Sequence, residues 1–229
     1  PGPRGPARAM ASAPRAPLAG RGEAERRKVD DARLENPLHN RVDDVAGAYS
    51  RLADDSSSEM QKREAALMLS TAEGELNNEN ASEALKTAMQ ALPKFRDLGD
   101  KSAEHDTLRL IVNAHRMEAD FAFADRPEEA ERIAEEELAK FKEQGDKRGQ
   151  AAMLLSKAEC MCDHRRTRPS QLEDAEKWAQ EALTIFREIE DKKMIATALL
   201  EIANIYSLKE EPTEVYEAAN EAREFFKAI

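Results

Sequence analysis

The chain has 229 residues and a formal net charge of -11, with 35% charged and 5% aromatic residues. That length can bury a sizeable core in one or two domains, and the bias towards Ala, Glu, Lys, Leu and Arg with few Gly and Pro points to an all-helical protein and away from a strand-built one. The acidity excludes the basic face that non-specific nucleic-acid binding needs, no apolar run reaches the roughly 20 residues of a membrane span, and two cysteines, Cys160 and Cys162, are too close and too few for a disulfide framework, so a reducing compartment is expected.

In chain order, residues 1–22, "PGPRGPARAMASAPRAPLAGRG", carry four arginines and no acid. They are expected to be a disordered basic leader. The alternative is an organelle transit segment, mitochondrial or plastid, which is also Arg-rich and acid-poor. The first reading makes the protein cytoplasmic, the second organellar. Residues 23–57 are expected to add a helical N-terminal cap or half-repeat, broken near Pro37.

From residue 58 to 229 one phrase recurs: "KFRDLGDKS", "KFKEQGDKR" and "IFREIEDKK". Its aromatics Phe95, Phe141 and Phe186 are 46 and 45 residues apart, Phe226 follows 40 later, and Tyr49 precedes Phe95 by 46 as a weaker copy. Upstream of each runs a stripe of small residues at helical spacing, such as Ala84, Ala88, Ala91 and Phe95, or Ala175, Ala179, Ala182 and Phe186. Small side chains there allow a second helix to approach closely. That helix comes before each stripe, with small positions at Ala72, Val112, Ala158 and Ala203. The phrase is then a helix stop and restart. Gly99 and Gly145 allow the left-handed turn, and Asp100, Asp146 and Asp191 stand near the next N-terminus, where a carboxylate is favourable. Glu190 replaces Gly in the third copy, so a less sharp turn is expected there. The second and third pairs carry extra residues at the turn within the pair, and Pro127 and Pro169 open the helices that follow.

This pattern resembles the tetratricopeptide repeat (TPR) superfamily, most clearly in "LLEIANIYSLKEEPTEVYEAANEA". Its "GDK" link and long repeat are similar to the variants of kinesin light chains and Pins-type proteins. The resemblance implies an all-α, right-handed α-solenoid of about four TPR-like antiparallel helix pairs. It also implies a groove along the first helices of the pairs, where ligand peptides lie in that family. Carried over, the groove-facing residues are Leu69 and Glu73, Arg109 and Asn113, Leu155 and Glu159, and Leu200 and Asn204. Asn113 and Asn204 match the position that holds a peptide backbone or carboxylate. The lysines of the full carboxylate clamp are absent, and Glu73 and Glu159 would repel a carboxylate. A polar solvated face is the plain alternative.

The two long turns are a second candidate site. "EADFAFADRPEE" offers Phe121 and Phe123, and "CDHRRTRPSQ" offers Arg165, Arg166 and Arg168. Together they would suit an acidic or phosphorylated segment, unless the Phe pair packs on its helix and the arginines are solvated. Cys160, Cys162 and His164 lack a second cluster to complete a tetrahedral metal site, and no phosphate loop or nucleophile motif appears, so neither a cofactor nor an enzyme is expected. At the end, "EAREFFKAI" puts Phe226 in the internal stripe and Phe225 about 100° away on the helical wheel. Phe225 is expected to face the open end and dock a partner, a second copy or a continuation of the chain. The functional expectation is a protein–protein interaction scaffold or adaptor that binds a protein or peptide. The alternatives are a structural subunit held permanently in a larger complex and a regulator's sensor domain.

Overall fold

Apolar residues at helical spacing, separated by caps and turns, make every regular element among the described residues a helix. The computed structural model describes residues 43–163 and 167–229, all within one compact unit, Asn40–Ile229. The expected leader, most of the expected cap, His164, Arg165 and Arg166 lie outside the described residues. Among the described residues the helices are α1 (Ala46–Asp54), α2 (Met60–Asn77), α3 (Ala81–Asp97), α4 (Lys101–Phe121), α5 (Glu128–Gln144), α6 (Lys147–Cys162), α7 (Pro169–Glu188), α8 (Lys192–Leu208) and α9 (Pro212–Lys227), with no strand. Each packs on the next in succession, an all-α solenoid-like arrangement.

The helices fall into two layers. The first helices of the pairs, α2, α4, α6 and α8, also pack on one another in order, whereas the backbones of α3, α5, α7 and α9 stay apart, reached across only by long side chains such as Arg96 to Glu137 and Arg187 to Glu221. An array whose helices meet on one side and are held apart on the other curves towards the first side, so α2, α4, α6 and α8 form the inner layer. The small positions make the close approach: Ala72, Val112, Ala158 and Ala203 are fully buried, as are Ala84, Ala88, Ala91, Ala175, Ala179 and Ala182. The extra residues lie within the second and third pairs, at 122–127 and 163–168, where the first and fourth pairs turn in 78–80 and 209–211.

The corners between pairs are built alike. In each, the chain enters the left-handed region and two amides bond back: Gly99 N–H to Arg96 and Asp100 N–H to Phe95, Gly145 N–H to Lys142 and Asp146 N–H to Phe141. Glu190 corrects one expectation. It adopts φ 58° beside 66° and 67° at Gly99 and Gly145, with the same pair of bonds to Arg187 and Phe186. The third corner is therefore as sharp as the others, because the flanking helices over-determine it. Asp100, Asp146 and Asp191 then cap their helices by accepting from Ala103, Gly149 and Met194 N–H at 3.2, 3.0 and 3.1 Å.

Each capping aspartate is also gripped from the preceding pair. Lys62 reaches Asp100 at 2.8 Å, His105 Nε2 reaches Asp146 at 2.9 Å, and Arg148 Nε donates to Asp191 at 2.9 Å while its Nη2 donates to Asp106 at 2.7 Å. The His105 ring stands edge-on to Phe141, centroids 4.8 Å apart, and burial holds its imidazole below the ordinary value although Asp146 pulls the other way. Gly149 lets α6 lie against the same Phe141: a Cβ there would meet the ring at 2.6 Å.

The last pair differs from the expected pattern. Phe95, Phe141 and Phe186 are buried at the corners, but Phe226 is 42% exposed, because no inner helix among the described residues covers it. Phe225, expected to face outward, instead packs half-buried against the core of its own pair.

Candidate interaction groove

The inner layer carries a row of buried polar side chains. Glu73, Asn113, Glu159 and Asn204 occupy equivalent positions on α2, α4, α6 and α8, all at most 5% exposed. Arg109 and Arg116 lie on the same side of α4, two turns apart, and both point at α6. Arg109 Nη1 donates to Ser156 Oγ at 3.2 Å and to the Ala152 carbonyl at 3.5 Å, and its Nη2 donates to Glu159 at 2.8 Å. Arg116 donates to Glu159 at 2.9 Å, to Asn113 at 2.8 Å and to Asp163 at 2.5 Å. Burial would lower both guanidinium groups, but Asp43 and Glu159 for Arg109, and Asp163 and Glu159 for Arg116, hold them firmly charged.

A piece of the chain's own backbone crosses this face. Residues 43–46 lead into α1. Asp43 takes the Nε–Nη2 edge of Arg109 in a two-pronged pair, at 2.6 and 2.8 Å. Lys193 of α8 donates to the Asp44 carbonyl, Ser70 of α2 donates to the Ala46 carbonyl at 3.0 Å, and Ala46 N–H donates to Glu73 of α2. Val45, the residue at the start of α1, brings no capping side chain, so Glu73 supplies the cap from another helix. Burial raises the Glu73 carboxyl, while the N–H groups of Val45 and Ala46 pull it back. Further along, Tyr49 packs on Phe95 and donates to Asp106 at 2.8 Å.

The seam between α6 and α8 is paired less well. Glu201 is buried, and among the described residues no cation is bonded to it. Burial, with the Glu159 charge adding to it, pushes its carboxyl up to about 7. Its neighbours are the Cys162 thiol, which bonds it and is itself raised well above the ordinary value, first by burial, and the Asn204 amide at 3.4 and 3.5 Å. The Asn204 Oδ1 atom is buried without a hydrogen-bond partner among the described residues.

The structure therefore redraws much of the expected site. Leu69 and Leu155 belong to the hydrophobic core and present no surface to a ligand. Arg109, Asn113, Glu159 and Asn204 face inward as expected but are buried, not open, because neighbouring inner helices and, at Arg109, residues 43–46 close over them. Leu200 keeps partial exposure. On the long turns Phe121 and Phe123 are half-exposed, and Arg168 is exposed, its N–H taken by the Gln171 side chain at 2.8 Å. Reasoning from sequence missed Asp43, Arg116, Asp163 and Lys193. Arg116 had a signal, seven residues after Arg109 and hence on the same helical face; Asp43 had none.

Cys160 and Cys162 are buried free thiols, and among the described residues no group of three or more His, Cys, Asp or Glu is placed to hold a metal ion. None of the described helices is long and apolar enough to cross a membrane. No family model matches the chain, and no curated protein matches it.

Proposed function

We propose that this chain is a TPR-like protein-interaction scaffold whose inner layer receives a peptide segment of a partner. The observation that carries this reading is that the inner layer already holds a peptide segment. Residues 43–46 are gripped through two carbonyls, one N–H and one carboxylate by side chains from α2, α4 and α8. Binding a backbone by side chains drawn from several repeats is what a stacked array of helix pairs does well, because each pair adds one contact along the ligand.

A photo-crosslinking residue separates the faces. Placed at the partly exposed Leu200 of the inner layer, it should capture the partner from native extract. At the exposed Glu181 of α7 it should not. Capture at Phe123 and not at Leu200 would move the site to the long turns.

The second reading, a subunit held in a larger complex, draws on the last helix. Tyr216, Phe226 and Ile229 are 72%, 42% and 66% exposed, beside a cleft of about 500 Å³ lined by Phe225, Arg223 and Lys192. Self-association or co-purification lost in Phe226→Ser, with the thermal midpoint unchanged, would favour it.

A further inference from the structure

We propose that the Nε–Nη2 edge of Arg109 is a carboxylate-reading site for an acidic partner segment, and that Asp43 fills it in cis as a built-in competitor. The inference rests on the inner-layer reading above and names the chemistry of the ligand.

The arginine is set in place without Asp43. Its Nη1 is tied to Ser156 and the Ala152 carbonyl, and its Nη2 to Glu159, all on α6. These contacts fix the plane of the guanidinium and leave Nε and one Nη2 hydrogen directed at the groove. Both are taken by Asp43 alone. A fork held in this way is ready to receive a carboxylate two-pronged, the geometry for which arginine is best suited.

Asp43 also differs from the other acids of the network. Glu159 stands on α6 and Asp163 caps its C-terminal end, so both are part of the array, whereas Asp43 comes from the segment ahead of α1. The remaining ties of that segment, from Lys193 and Ser70 and to Glu73, go to backbone atoms of Asp44 and Ala46. Backbone ties accept any sequence, and the Val45 side chain is buried in the apolar core, so the charged side chain of the segment that these ties and the core leave to be read at Arg109 is the acid of Asp43. The local field suits an anion although the whole chain is acidic. Burial would raise the Asp43 carboxyl, yet Arg109, with Lys193 and Arg116 behind it, holds it below its ordinary value.

A tethered segment has a high effective concentration at its own site, on the millimolar scale for a short link, so a free segment meets a groove whose open fraction is small. Its apparent affinity is reduced by that fraction. Weakening the cis contact should restore it.

The test uses the full chain, wild type and Asp43→Ala, with a fluorescently labelled peptide of sequence DDVAGAY, the chain's own residues 43–49, and the same peptide with its first Asp replaced by Asn. Fluorescence anisotropy should show the acidic peptide binding Asp43→Ala at least tenfold tighter than wild type, and the Asn peptide at least tenfold weaker than the acidic one. Equal binding by the two proteins, equal binding of the two peptides, or no binding to a variant whose helical circular dichroism is intact would each overturn the proposal. If Asp43→Ala loses that signal, Asp43→Asn, which keeps the size of the side chain, takes its place. A negative result here with partner capture retained at Leu200 removes the carboxylate site and leaves the scaffold reading standing; loss of that capture removes the scaffold reading itself.

Discussion

The seam between α4 and α6 and the seam between α6 and α8 share a helix but treat buried charge in opposite ways. In the first, two arginines and three carboxylates satisfy one another, and all five donors of Arg109 are used. In the second, Glu201 has a thiol and a distant amide for company, and the Asn204 oxygen has no hydrogen-bond partner among the described residues. Their corners differ too, with Gly145 turning the chain into α6 and Glu190 turning it into α8 at nearly the same φ. A paired buried network is costly to break, whereas an unpaired buried group is costly to keep. The first seam should therefore be intolerant of change and the second should be open to improvement.

The largest effect should come from Arg116→Met. It removes the cation shared by Glu159 and Asp163 and leaves buried carboxylates behind, a change that typically costs about 3–5 kcal/mol. Urea unfolding monitored by circular dichroism measures it. A loss below about 1 kcal/mol would mean that water reaches the seam, and the contrast between the seams would collapse.

Next comes the pH dependence of the second seam. The Glu201 carboxyl rises from an ordinary 4.5 to about 7, so between those values the folded chain holds a proton that the unfolded chain has released. Stability from this group therefore falls as pH rises from about 4.5 to about 7, by about 3 kcal/mol in all. Glu201→Gln cannot lose that proton, so its advantage over wild type should grow between pH 5 and pH 8. Asp43 works in the other direction. Its carboxyl lies below the ordinary value, so its contribution is present above the unfolded value and is lost as pH falls through the folded one. An advantage of Glu201→Gln that is the same at both pH values would show that Glu201 is ionised throughout.

The smallest effect concerns the corners. A side chain in the left-handed region costs about 1 kcal/mol, which glycine avoids. Glu190→Gly should raise the thermal midpoint by about 2 °C, and Gly145→Ala should lower it by a similar amount. Shifts of the same sign would show that packing, not backbone strain, governs these turns.

What could be read directly from the residues was local. The helix pairs, the alanine seams, the caps at Asp100, Asp146 and Asp191 and the turns at Gly99 and Gly145 follow from residues within a turn or two of one another, because a cap or a left-handed corner is decided by its own backbone bonds. What tertiary packing decided spans long separations. His105 meets Asp146 across 41 positions, Arg148 meets Asp191 across 43, and Asp43 meets Arg109 across 66. Nothing in the periodicity distinguishes a charged residue on a solvated helical face from one buried against the next inner helix, since both occupy the same positions in the repeat. Phe225 and Phe226 make the same point at the last pair: helical spacing gives the direction of a side chain within its helix, but burial depends on whether a neighbouring helix stands there to cover it.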